Sequence, residues 1–228
     1  MSRLVLGLDT AGRHGSVALA VEGSAVASVP LPPGGHSSGL SSSAESLLAA
    51  RGCSLRDLAG IAVSGGPGSF TGLRVGLAWA KGVAVALSTP LALVSSHEAL
   101  AHSARGEGSA LATVLPGERG QVQVAFWEGG EEARLLFGPV SVPEEELRST
   151  LMDRAEGRPG TRPRVLLPDR PESAARLEED GFTILPARAV GEAVAELGDR
   201  AFREGLAADP VGSAPSYGRA PNARKPGT

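Results

Sequence analysis

Short apolar runs separated by glycine-containing turns dominate the first thirty residues. "RLVLGLDT" (3–10) is apolar until it ends on Asp and Thr, the pattern of a strand with one end at a site. "SVALAVEG" (16–23) and "SAVASVPLP" (24–32) follow after tight turns, and three such runs predict an antiparallel meander. The period then changes. Leu40, Ala44, Leu47 and Leu48 share one face at helical spacing, which predicts a helix over 38–51, capped by Ser37 or Ser38 and closed by Gly52. Residues 58–65 predict a strand, 71–87 a helix, 90–96 a strand and 97–104 a helix. This is the βββαβα order of an RNase-H-like unit.

"RGEGS" (105–109) reads as a boundary. Beyond it, 110–130 and 131–142 are strand-like, and 143–155 is a helix with Pro and acids in its first turn, where the helix dipole favours negative charge. A strand at 162–169, a short helix at 171–180, a strand-like run at 182–187 and an amphipathic helix at 190–207 follow. The expected architecture is α/β with two lobes. The first spans 1–104. The second, 105–214, is a degenerate α/β lobe whose final helix packs back on the first. The Pro/Gly-rich basic tail 215–228 is expected to be mobile.

Charge narrows the function. At a net charge of −3 and a pI near 5.9, the chain is not a stand-alone nucleic-acid binder, whose phosphate contacts need clustered Lys and Arg. RNA held mainly by a partner remains open. Cys53 is the only cysteine, so there is neither an intrachain disulfide nor a cysteine metal cluster. The first apolar run stops at an aspartate, unlike a signal peptide. No apolar stretch is read as reaching the roughly 18–20 residues of a membrane span, so the cytoplasm is expected.

The densest stretch is "SGGPGSFTGLRVGLAWAKGVAVAL" (64–87). A strand leading through glycines into a helix N-terminus offers unpaired N–H groups to an anion. Asp9, Gly66, Gly68, Ser69 and Thr71 are therefore weak nucleotide candidates. The spacing fails sharper tests. A Walker loop needs Gly-Lys-Ser/Thr where Gly72-Leu73-Arg74 stands, and Gly66–Gly68–Gly72 is one residue too long for a dinucleotide fingerprint. The alternative is a tight turn in which Ser69 or Thr71 caps the helix. The helix itself carries two small-residue stripes, Gly72/Gly76/Ala80/Ala84 and Ala78/Gly82/Ala86. A glycine inside a helix costs about 0.8–1.0 kcal/mol against alanine. Such stripes let another backbone approach closely, either this protein's own sheet and the 38–51 helix or another chain.

"LGLDTAGRHGSVALA", "SGGPGSFTGLRVGLAWAKGVA" and the late "PSYGR" resemble the bacterial TsaB family, also called YeaZ. The resemblance is strong over the first hundred residues and weak from about 105 to 200. It implies an actin/Hsp70/sugar-kinase-like (ASKHA) fold of two RNase-H-like lobes. It also implies a part in making threonylcarbamoyladenosine beside the anticodon of tRNA. In that pathway the family member is a non-catalytic scaffold and a degenerate paralogue of TsaD, the metal-binding transferase. It pairs with TsaD, and the ATPase TsaE joins them, so that tRNA is met only through the complex. The resemblance implies no cofactor of its own, although ATP or ADP at a site shared with a partner stays open.

Pairing through the helices 38–51 and 71–87 makes Leu40, Ala44, Leu47, Gly72, Val75, Gly76, Trp79, Ala80 and Val83 the expected partner-binding residues. Gly76→Leu is expected to block pairing while the lobe still folds. A homodimer through the same helices is expected when the partner is absent. In kinases of this fold a residue placed like Asp9 orients Mg²⁺ and phosphate, and the bland alternative is a turn cap. An ATP-binding phosphotransferase is thus the rival reading. A glycoprotease-like metallopeptidase is disfavoured. His36 is followed four residues later by Leu40 where a second ligand would stand, and His97 and His102 are five apart. His14 sits in a turn. Where the family has an Asp-Ala-Arg-type turn this chain has Pro116-Gly117, which leaves Arg119 as a candidate polar contact.

Overall fold

A computed structural model describes residues 2–32, 39–107, 110–117, 120–156, 162–187 and 190–216. Strand β1 (Leu4–Asp9) is buried along its whole length, as a central strand must be when both sheet faces are covered. It pairs antiparallel with β2 (Ser16–Val21), which pairs antiparallel with β3 (Ser24–Pro30). The β2–β3 turn is Glu22-Gly23, with φ of 50° and 84°. Two successive positive φ values are the hairpin geometry that matches strand twist. On the other side of β1 lie β4 (Gly60–Gly66) and β5 (Leu91–Ser95), both parallel, giving the order β3-β2-β1-β4-β5.

Helices α1 (Leu40–Ala49) and α2 (Phe70–Leu87) cover one face of this sheet. Gly39 precedes α1 without a side-chain cap, and Ser37 and Ser38 lie outside the described residues. Helix α3 (Ser96–Ser103) ends the first unit.

The second unit repeats the first. Strands β6 (Ala110–Pro116), β7 (Gln121–Glu128) and β8 (Arg134–Pro143) form an antiparallel meander. Helix α4 (Leu147–Glu156), β9 (Arg164–Leu166), α5 (Pro171–Glu179), β10 (Ile184–Leu185) and α6 (Val190–Arg203) then follow. Read from its meander edge, the sheet order β8-β7-β6-β9-β10 matches that of the first unit. The expected helix at 143–155 begins with a 3₁₀ turn over Glu144–Glu146 before α4.

The two terminal helices are exchanged. Leu100, Ala101 and Ala104 of the α3 segment pack against Leu111, Leu115 and Trp127 of the second sheet. Helix α6 returns to the first sheet, where Ala193, Val194 and Leu197 meet Val5, Ala62 and Ala92. Glycine in the strand makes that approach possible: a Cβ at Gly7 would collide with the α6 backbone at Gly191 and Ala195.

Buried acids fix the register of α6. Asp199, wholly buried, is held by Arg3 and by Arg203 at 3.3 Å. Glu196 accepts from the Ala25 amide at 2.9 Å, from His102 Nε2 at 2.9 Å and from Arg105 at 2.7 Å. Burial works against the charge on Glu196, yet those hydrogen bonds and Arg105 hold its carboxyl below the usual range.

Candidate functional site: the glycine-rich loop, the cleft and the outer face of α2

The loop after β4 leads straight into α2, and Ser69 caps the helix by accepting from the Gly72 amide at 3.2 Å. Thr71 is exposed and caps nothing. The loop packs closely against the β1–β2 turn of the same chain. The Ser69 amide donates to the Ala11 carbonyl at 2.7 Å. A Cβ at Gly68 would meet Ala11, one at Gly72 the Thr10 carbonyl, and one at Gly76 the Thr10 hydroxyl. These glycines let the β1–β2 turn lie against the N-terminal half of α2. Asp9 is buried, and its Oδ1 accepts from Ser64 Oγ at 2.7 Å and from the Ala11 amide at 3.1 Å. Gly66, with φ of 106°, lies against the carbonyl of Ser216. The loop therefore acts as a packing junction, with Gly68 and Ser69 against Ala11 and Gly66 against Ser216.

Beside it a cleft of about 390 Å³ separates the two units. Asp9, His14, Ser16 and Ser96 line it from the first unit, and Asp169 from the second. Asp169, a residue sequence reasoning missed, accepts from the Arg13 amide at 2.6 Å across the cleft. Its φ of 65° was not legible in "LLPD". No lysine or arginine stands among the described lining residues. Arg119 lies outside the described residues.

The histidines are committed to separate tasks. His97 Nδ1 lies 2.8 Å from Thr113 Oγ1, which also accepts from Trp127 Nε1 at 2.9 Å. Burial pushes its pKa down to about 4, so it is neutral at pH 7. His102 serves Glu196. His36 lies outside the described residues. Among the described residues no group of three or more His, Cys, Asp or Glu is arranged to hold a metal ion.

The two stripes of α2 point in opposite directions. Gly72, Gly76, Ala80 and Ala84 are buried with Leu73 and Leu77 against the first sheet and the Thr10 turn. That corrects the expectation placed on them, and on Leu40, Ala44 and Leu47 of α1, which are equally buried in the same core. Val75, Trp79 and Val83 are half-buried between the faces, and Trp79 Nε1 donates to Ser41 Oγ of α1 at 2.7 Å. Gly76→Leu would therefore break the lobe itself.

Facing outward are Phe70, Arg74, Ala78, Gly82, Val85 and Ala86. Phe70 is 56% exposed, with the Arg74 guanidinium 3.5 Å over its ring, and Val85 is 58% exposed. Among the described residues nothing lies within 4 Å of where a Gly82 Cβ would stand. Contrary to the reading of the sequence, α2 is long and apolar enough to cross a membrane, with 18 residues at a mean hydropathy of 1.3 and 33% of them buried. Its inward face is part of the core of the first unit, so what distinguishes it is an apolar outward face. The outward side of α1 is different, with Ser41, Ser42, Glu45 and Ser46 exposed.

Comparison with known proteins agrees with this architecture. A family model described as TsaD, tRNA N6-adenosine threonylcarbamoyltransferase, matches residues 34–141. The tRNA threonylcarbamoyladenosine biosynthesis protein TsaB of Escherichia coli K12 is 31% identical over 61% of this chain. That alignment spans 64% of the relative, under two thirds of its length. The structure of YeaZ from Pseudomonas aeruginosa superposes with a TM-score of 0.74 at 24% identity, covering 94% of this chain and 99% of that one. The activator of 2-hydroxyisocaproyl-CoA dehydratase from Clostridium difficile, solved with bound ADPNP, shares the fold at a TM-score of 0.52 and 14% identity, covering 90% of this chain and 97% of that one. The doubled βββαβαβα unit is the two-lobed ASKHA fold.

Proposed function

We propose that the chain is a member of the TsaB (YeaZ) family, to which it is similar in sequence and in fold, and that it is a non-catalytic scaffold in the synthesis of tRNA threonylcarbamoyladenosine. In this reading it works in the cytoplasm, pairs with the transferase TsaD, is joined by TsaE, and meets tRNA through them. The observation that carries the reading is the outward face of α2. Alanine and glycine at 78, 82 and 86 let a partner helix come close, and Phe70 and Val85 supply apolar area at either end. The close packing of the glycine-rich loop against the chain's own backbone and a cleft with no lysine or arginine among its described lining residues support a subunit without its own phosphoryl-transfer site. The acidic net charge of −3 supports RNA contacts made mainly by the partner.

The interface is thus moved outward on α2 from the residues the sequence suggested. Ala78→Glu places a charge at the middle of that face without touching the core. Co-purification with cognate TsaD should be lost in this variant while its thermal unfolding midpoint stays that of wild type. Retained co-purification at full strength would show that TsaD, if it binds, does so elsewhere.

A further inference from the structure

After α6 the chain does not simply leave the molecule. Residues 208–216 run back across the first unit and touch it at three places. Ala208 donates to the Leu91 carbonyl at 2.7 Å and forms an antiparallel bridge on the free edge of β5. Asp209 then folds a tight turn, its carboxylate accepting from the Val211 and Gly212 amides, each at 2.9 Å. Those two amides, with the nearby Lys81 charge, hold the Asp209 carboxyl below its ordinary range. Lys81 of α2 reaches over this turn, and its Nζ donates to the Val211 carbonyl at 2.8 Å and to the Ser213 carbonyl at 2.9 Å. The third contact is at the loop. Ser216 donates its amide to the Gly65 carbonyl at 2.7 Å, and its own carbonyl occupies the place a side chain at Gly66 would need.

Lys81 is one of only two lysines in a chain that otherwise uses arginine, with Lys225 the other. A compact ammonium with three donors suits convergence on two backbone carbonyls, whereas a planar guanidinium suits carboxylates. The strap therefore grips α2 at its middle and the glycine-rich loop that feeds its N-terminus, from one continuous stretch of backbone.

We propose that residues 208–216 are a strap that sets the position of the glycine-rich loop and of α2, with Lys81 as its positioning residue, and that release of the strap weakens pairing through α2. The pairing half of this inference rests on the proposed function; the structural half does not. Charge-assisted hydrogen bonds are among the stronger ones, and an amide is protected from exchange only while its segment stays closed.

The test uses full-length protein and two independent lesions. Lys81→Met removes both Nζ bonds, and Ser216→Pro removes the amide donor to Gly65 while leaving Lys81 in place. Amide hydrogen exchange should accelerate about tenfold over 65–72 and 208–216 in either variant, with β1 and β2 unchanged. Affinity for TsaD by calorimetry should fall about tenfold in both. Lys81→Arg, which keeps the charge but replaces the compact ammonium by a planar guanidinium, should recover only part of the loss seen in Lys81→Met. Unchanged exchange over 65–72 in both variants would overturn the strap's hold on the loop. Faster exchange with unaltered affinity would overturn its coupling to pairing. If wild type itself fails to bind TsaD, the proposed function falls and the coupling falls with it, while the exchange measurement still reads the strap.

Discussion

Gly76 and Gly82 lie six residues apart on one helix, and opposite outcomes are expected when each becomes alanine. Both substitutions gain helix propensity, worth about 0.8–1.0 kcal/mol. At Gly82 nothing among the described residues lies within 4 Å of the new methyl group, so that gain should appear undiminished as added stability. At Gly76 the methyl group would collide with the hydroxyl of Thr10, a residue with no exposed surface on the turn that also carries Ala11 against Gly68. Thr10 sits at the end of a central strand and cannot retreat without moving β1 or α2, and overpacking of this kind costs about 1–3 kcal/mol. The propensity gain is common to both variants and cancels in their difference. Gly76→Ala should therefore be less stable than Gly82→Ala by about 1–3 kcal/mol. Equilibrium unfolding in urea of the two variants and wild type measures this directly, with equal slopes as the check that unfolding stays two-state. Equal stability of the two variants would refute the assignment of the inward and outward faces of α2.

Three further outcomes follow. His97 has its pKa lowered from 6.5 to about 4 in the folded protein, so the unfolded chain binds the proton first. Stability from this group is complete above pH 6.5 and is lost as pH falls towards 4, by about 2 kcal/mol between pH 7 and 5, and urea titrations of His97→Gln should lack that component. Calorimetry with Mg-ATP should give no heat of tight binding to the isolated chain, and tight binding abolished by Asp9→Ala would restore the phosphotransferase reading. Gly66→Ala should destabilise the protein, because alanine is strained at φ of 106° and its methyl group meets the Ser216 carbonyl; a thermal midpoint equal to wild type would contradict the docking of the strap.

Much of the fold was legible because each element carries its own period. The three strands of the first meander, the helix after the glycine-rich loop and the amphipathic last helix sit within a few residues of where hydrophobic spacing puts them. The repeat of the whole unit was expected only through the family resemblance and was not legible in hydrophobic spacing, because the second lobe keeps the order of elements without keeping residues. The direction of α2 was not legible either. Both of its stripes are small, and only the company of Leu73 and Leu77 marks the first as inward. A glycine in a helix signals a close approach, but the sequence does not say whether the approaching backbone is Thr10 of the same chain or a partner. Asp169 and the strap were missed for a related reason. Their contacts, to Arg13 and to Lys81, join residues more than a hundred positions apart through backbone groups, which leave no side-chain signature.

The central claim is that the outward face of α2 is the surface through which this chain pairs with TsaD. Titration calorimetry of the full-length chain against cognate TsaD, with Ala78→Glu in parallel, tests it most directly. The account predicts saturable one-to-one binding for wild type and none for Ala78→Glu at unchanged thermal stability. Equal binding by both proteins, or no binding by wild type, would contradict it.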